Sequence, residues 1–336
     1  MPANDTAPRR VPCLIATAVN TVEVRERQLD ALAPTQVRVA TEISMVSTGT
    51  ELHRIQDTHT VARPFPTATG YVALGRVIGI GSAVTRRTLG ERVLFRAAHF
   101  AAMDVAEDSC TPVPLGVASQ DAVATVLMGI SLRGVRGGKV TLGKSAAVFG
   151  LGVIGQYAVH LSKLAGGYPV IGIDPSELRR SIARRMGADL VLDPFRDDVT
   201  AALRQATNGQ GVQAAIECTA TPRVVASLPA LTAYEGILVI LGGIHGKVEM
   251  DLYTHVQKSN QTIVGCGFAY HADYPFDSDD ANHAAILNMM QGGMIRPEPV
   301  VTHRVAYTEG PGMYRMLIEE KDKAVGVQFT WADAKL

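Results

Sequence analysis

This chain has few cysteines, few aromatic residues and no net charge, and each of these features excludes some classes of protein. The four cysteines among 336 residues are far apart in sequence, at Cys13, Cys110, Cys218 and Cys266. This spacing excludes a CxxC metal site and argues against a disulfide framework of the secreted type. We therefore expect a protein of a reducing compartment, the cytoplasm.

Charge of one sign and long apolar runs are also missing. The 32 basic residues cancel the 32 acidic ones, so no long-range field attracts nucleic acid or an anionic membrane. No apolar run reaches the roughly 20 residues needed to cross a bilayer, and the first ten residues lack the apolar core of a signal peptide. We expect a small-molecule partner, with no nucleic-acid and no membrane partner.

The length and the 47% hydrophobic content predict two domains with a sizeable core. Short strand-like runs separated by Gly and Pro at 36–40, 75–80 and 92–95 are typical of a small β domain. A helical pattern follows at 119–135. The last forty or so residues again show strand-like sequence patterns, and we interpret this segment as rejoining the first domain.

The middle of the chain alternates strictly between short apolar runs and helical segments. Helical spacing at 153–165 and 176–186 separates runs that are continuously apolar, as expected for a parallel sheet covered on both faces. The runs lie at 145–149, 169–173, 190–192, 214–217, 237–241 and 262–264.

A G-x-G-x-x-G motif follows the first of these predicted strands and opens the first helix, which is the context that supports a dinucleotide site. Gly150 permits the tight turn, Gly152 lets a pyrophosphate approach the backbone, and Gly155 lets helix and strand pack closely. Val153 and Ile154 lie at the helix N-terminus, where free N–H groups favour phosphate. The alternative is a glycine-rich turn that binds no nucleotide.

Asp174 lies 19 residues after Gly155, at the end of the second predicted strand. A carboxylate at this point accepts hydrogen bonds from the adenosine ribose and repels a 2′-phosphate, so NAD is favoured over NADP. Arg179 and Arg180 follow closely and keep NADP open as the alternative.

The whole chain resembles the medium-chain dehydrogenase/reductase superfamily in stretches that occur in the expected order: STGTELHR, GYVALGRVIGIGSAVT, LGERV, VFGLGVIGQYAVHLSKLAG, MGADLVLD, IECTATP, GILVILGG and TIVGCG. The resemblance implies an α/β fold in which a doubly wound Rossmann sheet (126–294) is inserted into a GroES-like β domain (1–125 and 295–336). It also implies hydride transfer with a nicotinamide in the cleft between them. We expect a homodimer, with a tetramer as the alternative.

The departures from the superfamily pattern concern zinc. Thr48 stands at the position of the ligand cysteine, Tyr71 at that of the histidine, and Leu127 near the third ligand. Zn²⁺ needs thiolate, imidazole or carboxylate ligands, so we expect no zinc. The structural-zinc lobe is also absent, because 91–113 holds only Cys110. The STGTE and GYxxxGRV stretches are most similar to the branch of bacteriochlorophyllide dehydrogenase-like enzymes, whose substrate we do not carry over.

Without zinc, hydrogen-bond donors must stabilise the charge that develops on a carbonyl oxygen. The resemblance points to Tyr71, Thr50 and His53 as catalytic candidates. Tyr71 or Thr50 would donate the proton and His53 would replenish it. A packed tyrosine, a turn threonine and a capping or phosphate-binding histidine are the corresponding structural interpretations.

Further positions follow from the resemblance alone. Thr48, Glu51, His99 and Ser131 are candidate substrate contacts, although a structural bond for Glu51 and a core-edge place for His99 are favoured. The nicotinamide side would be lined by Thr219, Gly242, Gly243, Gly265, Cys266 and Gly267. We interpret Cys218 and Cys266 as small core side chains beside the cofactor.

The leading hypothesis is a zinc-independent, NAD(H)-dependent alcohol dehydrogenase or ketone reductase acting on a cyclitol- or sugar-like secondary alcohol. The enzyme alternative is an NAD(P)H-dependent enone reductase, and the alternative of another class is a non-catalytic dinucleotide sensor. The polar stretch 271–280 is interpreted as a solvated loop, with a lid or a dimer-edge loop as alternatives.

Overall fold

A computed structural model describes residues 4–59, 64–244, 246–267 and 278–336. The chain forms two compact units, one of Met1–Val126 with His283–Leu336 and one of Leu127–Asn282. The second division falls inside a helix, Asp279–Gln291, whereas the sequence places it after residue 294. Most of the 271–280 stretch, namely 271–277, lies outside the described residues.

Two sheets build the first unit. Its strands are β1 (Arg9–Ala18), β2 (Thr21–Leu29), β3 (Gln36–Met45), β4 (Thr67–Ala68), β5 (Val72–Ile80), β6 (Arg92–Phe95), β7 (Ala102–Ala106) and β8 (Thr111–Pro112), with β15 (Val301–Ala306) and β16 (Gly326–Thr330) near the C-terminus. The small sheet has the order β2-β1-β4. The larger one has the order β15-β16-β3-β5-β6-β8, with β7 paired to β3. The C-terminal strands therefore belong to the sheet that β3 and β5 begin.

Helices of the first unit are few and short: α1 (Thr48–Ile55), α2 (Ser119–Ala122) and α9 (Gly310–Glu319). Valines alternate inward along β3, β5 and β6 and form one apolar cluster with Phe95. A second cluster joins β1 to α9 and to the end of β16, and its buried aromatic members are Tyr307, Tyr314, Phe329 and Trp331. The two clusters fix the segments from which α1 and the β4–β5 turn emerge.

The second unit alternates strands and helices along the chain. Its elements are α3 (Thr125–Gly137), β9 (Ala146–Phe149), α4 (Val153–Leu164), β10 (Val170–Ile173), α5 (Glu177–Arg185), β11 (Leu190–Leu192), α6 (Val199–Ala206), β12 (Val212–Glu217), α7 (Pro222–Leu231), β13 (Thr232–Ile240) and β14 (Thr262–Gly265). The helix α8 (Asp279–Gln291) begins in this unit, and from His283 onward its residues belong to the first unit. Short 3₁₀ or π turns occur at Glu107–Ser109, Tyr253–Gln257, Glu298–Val300, Tyr307–Glu309 and Lys321–Lys323.

The six strands of this unit are parallel, in the order β11-β10-β9-β12-β13-β14. Every residue of β9 and β10 is buried, as their continuously apolar sequences predict for a sheet covered on both faces. This confirms the predicted doubly wound fold. The strand order reverses between β9 and β12, so the loops after these two strands meet at one point of the carboxyl edge.

Among the described helices, not one combines the length and the apolar character needed to cross a membrane.

Candidate active site

The turn between β9 and α4 needs each of its three glycines for a different reason. Gly150 has a φ of +88°, in the left-handed region. A Cβ on Gly155 would lie 1.8 Å from the carbonyl oxygen of Gly150, so only glycine fits where helix and strand touch. Gly152 is the N-cap of α4 without a side-chain cap, and a Cβ there would meet nothing within 4 Å. The turn thus leaves room and uncapped N–H groups for a phosphate.

Asp174 follows β10 and braces this turn. Its Oδ2 accepts the Leu151 N–H at 2.8 Å and its Oδ1 accepts the Ser176 N–H at 2.9 Å, with the residue 3% exposed. An ionised carboxylate has about four acceptor sites, so capacity for a ribose hydroxyl remains. The carboxylate that the sequence predicts for the ribose thus also holds the glycine turn in shape.

The two arginines that follow Asp174 have different surroundings. Arg180 is buried, donates to the Asp174 carbonyl at 2.7 Å and pairs with Asp193 at 3.1 Å. Arg179 places Nη1 3.6 Å from Oδ2 of Asp174. Arg180 is therefore part of the scaffold, and Arg179 is the guanidinium beside the expected ribose-binding carboxylate.

Glu217 ends β12 and shapes the next loop, a role that sequence reasoning missed. It is fully buried, and its Oε1 accepts both the N–H of Thr219 at 2.6 Å and its hydroxyl at 2.5 Å. Burial raises the pKa of the Glu217 carboxyl, although these hydrogen bonds oppose the shift. A Cβ on Gly150 would come within 2.8 Å of Thr219 Cγ2, so this loop lies directly against the glycine turn. In the sequence, the acidic residue at the end of an apolar strand is the signal that could have indicated this role.

The remaining cofactor candidates lie where parallel strands end. Val153 and Ile154 form the first turn of α4, and the others follow β13 or close β14: Gly242, Gly243, Gly265, Cys266 and Gly267. Ser131 is buried, and its hydroxyl donates to the Ile154 carbonyl at 2.8 Å and more weakly to the Leu127 carbonyl at 3.3 Å. Its hydrogen bonds join α3 to the start of α4.

A buried carboxylate organises the first unit. Glu51, on α1, is 1% exposed and accepts the N–H of Ser47 at 2.7 Å, the N–H of Gly70 at 2.8 Å and the hydroxyl of Tyr314 at 2.5 Å. Nε2 of His99 lies 3.4 Å away. Burial alone would raise the pKa of Glu51, but His99 and the hydrogen bonds outweigh it and lower the pKa. Glu51 is thus an ionised anchor, the structural role that the sequence favours.

Further contacts surround this anchor. The indole N–H of Trp331 donates to the Ser44 hydroxyl at 2.9 Å, and that hydroxyl lies 2.8 Å from Nδ1 of His99. The other ring nitrogen of His99, Nε2, faces Glu51. His99 is fully buried.

The catalytic candidates lie on the two segments that Glu51 joins. Thr48 and Thr50 belong to the first turn of α1, which the Ser47 contact holds, and Tyr71 follows Gly70. Thr48 Oγ1 is buried without a hydrogen-bond partner in the described chain. His53 shares the helix face of Thr50, three residues on, with Nδ1 2.8 Å from Thr58 Oγ1.

Tyr71 is 9% exposed and its phenol is in contact with a charged side chain that sequence reasoning missed. Arg96 Nη1 donates to Tyr71 Oη at 2.7 Å, and the guanidinium carbon lies 5.0 Å from the ring centroid. Leu127, the third position expected for a zinc ligand, is buried in α3. Within the described residues, no three His, Cys, Asp or Glu side chains form a metal-binding group. Thr48, Tyr71 and Leu127 do not fit zinc by their chemistry.

The fold and the glycine turn define the class of a dinucleotide-binding protein, and comparison with known proteins agrees. A family model described as zinc-binding dehydrogenase matches residues 153–280. L-threonine 3-dehydrogenase of Pyrococcus furiosus is 30% identical over 57% of this chain and 49% of its own length. The chain thus spans about half the length of that relative. D-guloside 3-dehydrogenase of Escherichia coli is 28% identical over 77% of each chain.

A solved alcohol dehydrogenase from Escherichia coli CFT073, complexed with NADH, superposes with a TM-score of 0.83 at 18% identity, covering 96% of this chain and 99% of its own. At that identity the likeness concerns the fold. Together with the family model and the relatives, it confirms the predicted resemblance to the medium-chain dehydrogenase/reductase superfamily.

Proposed function

We propose that the protein is an NAD(H)-dependent dehydrogenase that interconverts a secondary alcohol and a ketone without zinc. The observation that carries the proposal is the complete glycine turn, braced by Asp174. It is combined with Thr48 and Tyr71 at, and Leu127 near, the positions that the resemblance assigns to zinc ligands. The family model of zinc-binding dehydrogenases begins after all three positions, so its match does not bear on the metal.

Asp174 supports NAD over NADP, because a carboxylate at the end of the second parallel strand is expected to bind the ribose hydroxyls and to repel a 2′-phosphate. Arg179 lies 3.6 Å from that carboxylate, whereas Arg180 donates to the Asp174 carbonyl and pairs with Asp193. A polyol- or sugar-like substrate is supported by the guloside dehydrogenase among the relatives.

When bound, a nicotinamide supplies or accepts the hydride. The chain's own residues must then manage the proton at the substrate oxygen. Tyr71 or Thr50 donates it in the reducing direction, and His53, on the Thr50 face of α1, returns it from solvent. Glu51 holds both donor segments through Ser47 and Gly70 and is not itself the acid, since donors already occupy its oxygens.

A homodimer is part of the proposal. β14 is an edge strand of the parallel sheet, and Ile263 on it is 41% exposed. An unpaired strand edge with an exposed apolar side chain is a ready site for pairing with a second copy. The four cysteines are free thiols, which supports a reducing compartment such as the cytoplasm.

The test is a panel of polyols, sugars, ketones and enones assayed with NAD⁺/NADH and NADP⁺/NADPH in parallel, followed by product analysis. We expect an alcohol as the product of a ketone and a preference for NADH. A saturated ketone formed from an enone would instead establish the C=C reductase. Binding of NADH with no turnover of any compound would establish a non-catalytic sensor.

A further inference from the structure

The backbone brings Tyr71 and Arg96 together through strand pairing. β5 begins directly after Tyr71 and β6 ends directly before Arg96, and the two strands pair antiparallel with Ala73 opposite Phe95. The Ala97 N–H continues this ladder by donating to the Tyr71 carbonyl at 3.2 Å. The contact between phenol and guanidinium is therefore set by the sheet.

The chemistry of the contact leaves the phenol hydrogen available. A guanidinium is always charged and can only donate, so the Tyr71 oxygen is the acceptor in the 2.7 Å bond with Arg96. In the described part of the chain the Tyr71 hydroxyl donates to no acceptor. Tyr71 is nearly buried, whereas Arg96 is exposed. The phenol is therefore held in the interior, and the guanidinium that contacts it lies on the solvent side.

We infer that Arg96 is a positioning residue for the proton donor of the proposed reaction: it holds the Tyr71 phenol with its hydrogen directed away from the guanidinium and stabilises the phenolate that remains after proton transfer. This inference rests on the proposed function and assigns the proton to Tyr71 rather than Thr50.

The step balances as follows in the direction of ketone reduction. A bound reduced nicotinamide would supply the hydride, with one of its own C–H bonds breaking and the oxidised ring left behind. The hydride would form the new C–H bond at the carbonyl carbon, and the π-electron pair of the C=O bond would move to oxygen. The O–H bond of Tyr71 breaks, its proton goes to that oxygen, and the electron pair stays on the phenolate beside Arg96. The phenolate then regains a proton from solvent by way of His53, as in the proposed reaction.

The experiment compares Arg96→Ala, Arg96→Lys, Tyr71→Phe and the double variant Tyr71→Phe/Arg96→Ala in NADH-dependent reduction. We expect Arg96→Ala to lower kcat about 100-fold, since positioned acid catalysis contributes at least about that much. The KM for NADH should not change, and Arg96→Lys should restore part of kcat. Millimolar guanidinium ion should restore turnover in Arg96→Ala but not in either variant that carries Tyr71→Phe. Arg76→Ala, which removes an exposed arginine paired with Glu42, is the control.

Full activity of Arg96→Ala would overturn the inference, and so would an equal further loss when Arg96→Ala is added to Tyr71→Phe. Loss that guanidinium does not restore, with a raised KM for NADH, would show a merely structural role and also overturn it. If the unmodified protein binds NADH but turns over nothing, the proposed function itself fails, which is a different result from active wild type with a silent Arg96.

Discussion

Glu51 keeps a negative charge inside the first unit because donors surround its carboxylate. Two backbone N–H groups, the Tyr314 hydroxyl and Nε2 of His99 all face it. A buried charge is costly unless it is hydrogen-bonded in this way, and removing part of such a set leaves the remaining groups unpaired. At the scale of single residues, this carboxylate therefore determines both stability and the positions of the catalytic candidates.

Glu51→Gln should lower the free energy of unfolding at neutral pH by about 3 kcal/mol, because the amide NH₂ faces groups that also donate. The control is Glu26→Gln, the same change at an exposed glutamate whose arginine contact is 4.0 Å long, where we expect almost no effect. Urea unfolding measures both. An equal, small effect of the two substitutions would contradict the anchoring role.

The lowered pKa of Glu51 also gives a direction for pH dependence. A carboxyl with a lower pKa in the folded state stabilises the fold above its ordinary value of 4.5 and loses this contribution as the pH falls through the folded pKa. The difference in unfolding free energy between wild type and Glu51→Gln should therefore shrink on acidification.

The pH dependence of stability that Glu217 causes should have the opposite sign. Its pKa is raised, so its contribution is fully present below the ordinary value of 4.5 and is lost as the pH rises through the folded pKa. Glu217→Gln keeps an oxygen for Thr219 and removes the ionisation. We expect the variant to gain stability relative to wild type between about pH 4 and pH 7 in urea unfolding. A constant difference across this range would refute the assignment.

Among the elements, the β9–α4 turn contains one glycine that its packing requires and another that leaves room for a ligand. Gly152 has open space where Gly155 has a carbonyl oxygen 1.8 Å from the position of a Cβ. The two glycines therefore make a matched pair, in which one substitution tests the room left for a phosphate and the other tests the packing of the turn.

Gly152→Ala should leave the free energy of unfolding within about 1 kcal/mol of wild type and weaken NADH binding at least about tenfold, because the added methyl group takes up the room left for the pyrophosphate. Gly155→Ala should lose both binding and stability. Fluorescence titration with NADH and urea unfolding distinguish the two. Unchanged NADH affinity in Gly152→Ala would contradict the nucleotide site.

The elements also show how far sequence reasoning reached. The parallel strands and the glycine turn are determined by residues that are close together in the sequence. The apolar runs and the glycine spacing therefore predicted them correctly. The contact of Glu51 with Tyr314 spans 263 positions, and that of Arg96 with Tyr71 depends on strand register. Neither leaves a local pattern, because a long-range contact appears only once the sheet has formed. Arg96 and the shell of Glu51 were therefore beyond prediction from this one sequence.

For the whole molecule, the exposed edge of the second unit's sheet predicts self-association. Ile263→Lys should weaken or abolish a dimer, since a charge on an edge strand opposes pairing. Leu142→Lys is the control, because Leu142 is 90% exposed and lies outside the sheet. Sedimentation velocity reports the mass of each variant. A wild-type monomer, or a dimer that Ile263→Lys leaves intact, would refute this interface.

For the whole molecule, the proposed reaction is a nicotinamide-dependent oxidoreduction in which hydrogen-bond donors replace zinc. The most direct measurement determines zinc content and NADH-dependent ketone reduction on the same sample, before and after exhaustive dialysis against a chelator. We predict substoichiometric zinc, turnover that dialysis leaves unchanged, and no gain when zinc is added back. Stoichiometric zinc whose removal abolishes turnover and whose return restores it would contradict a zinc-independent reaction.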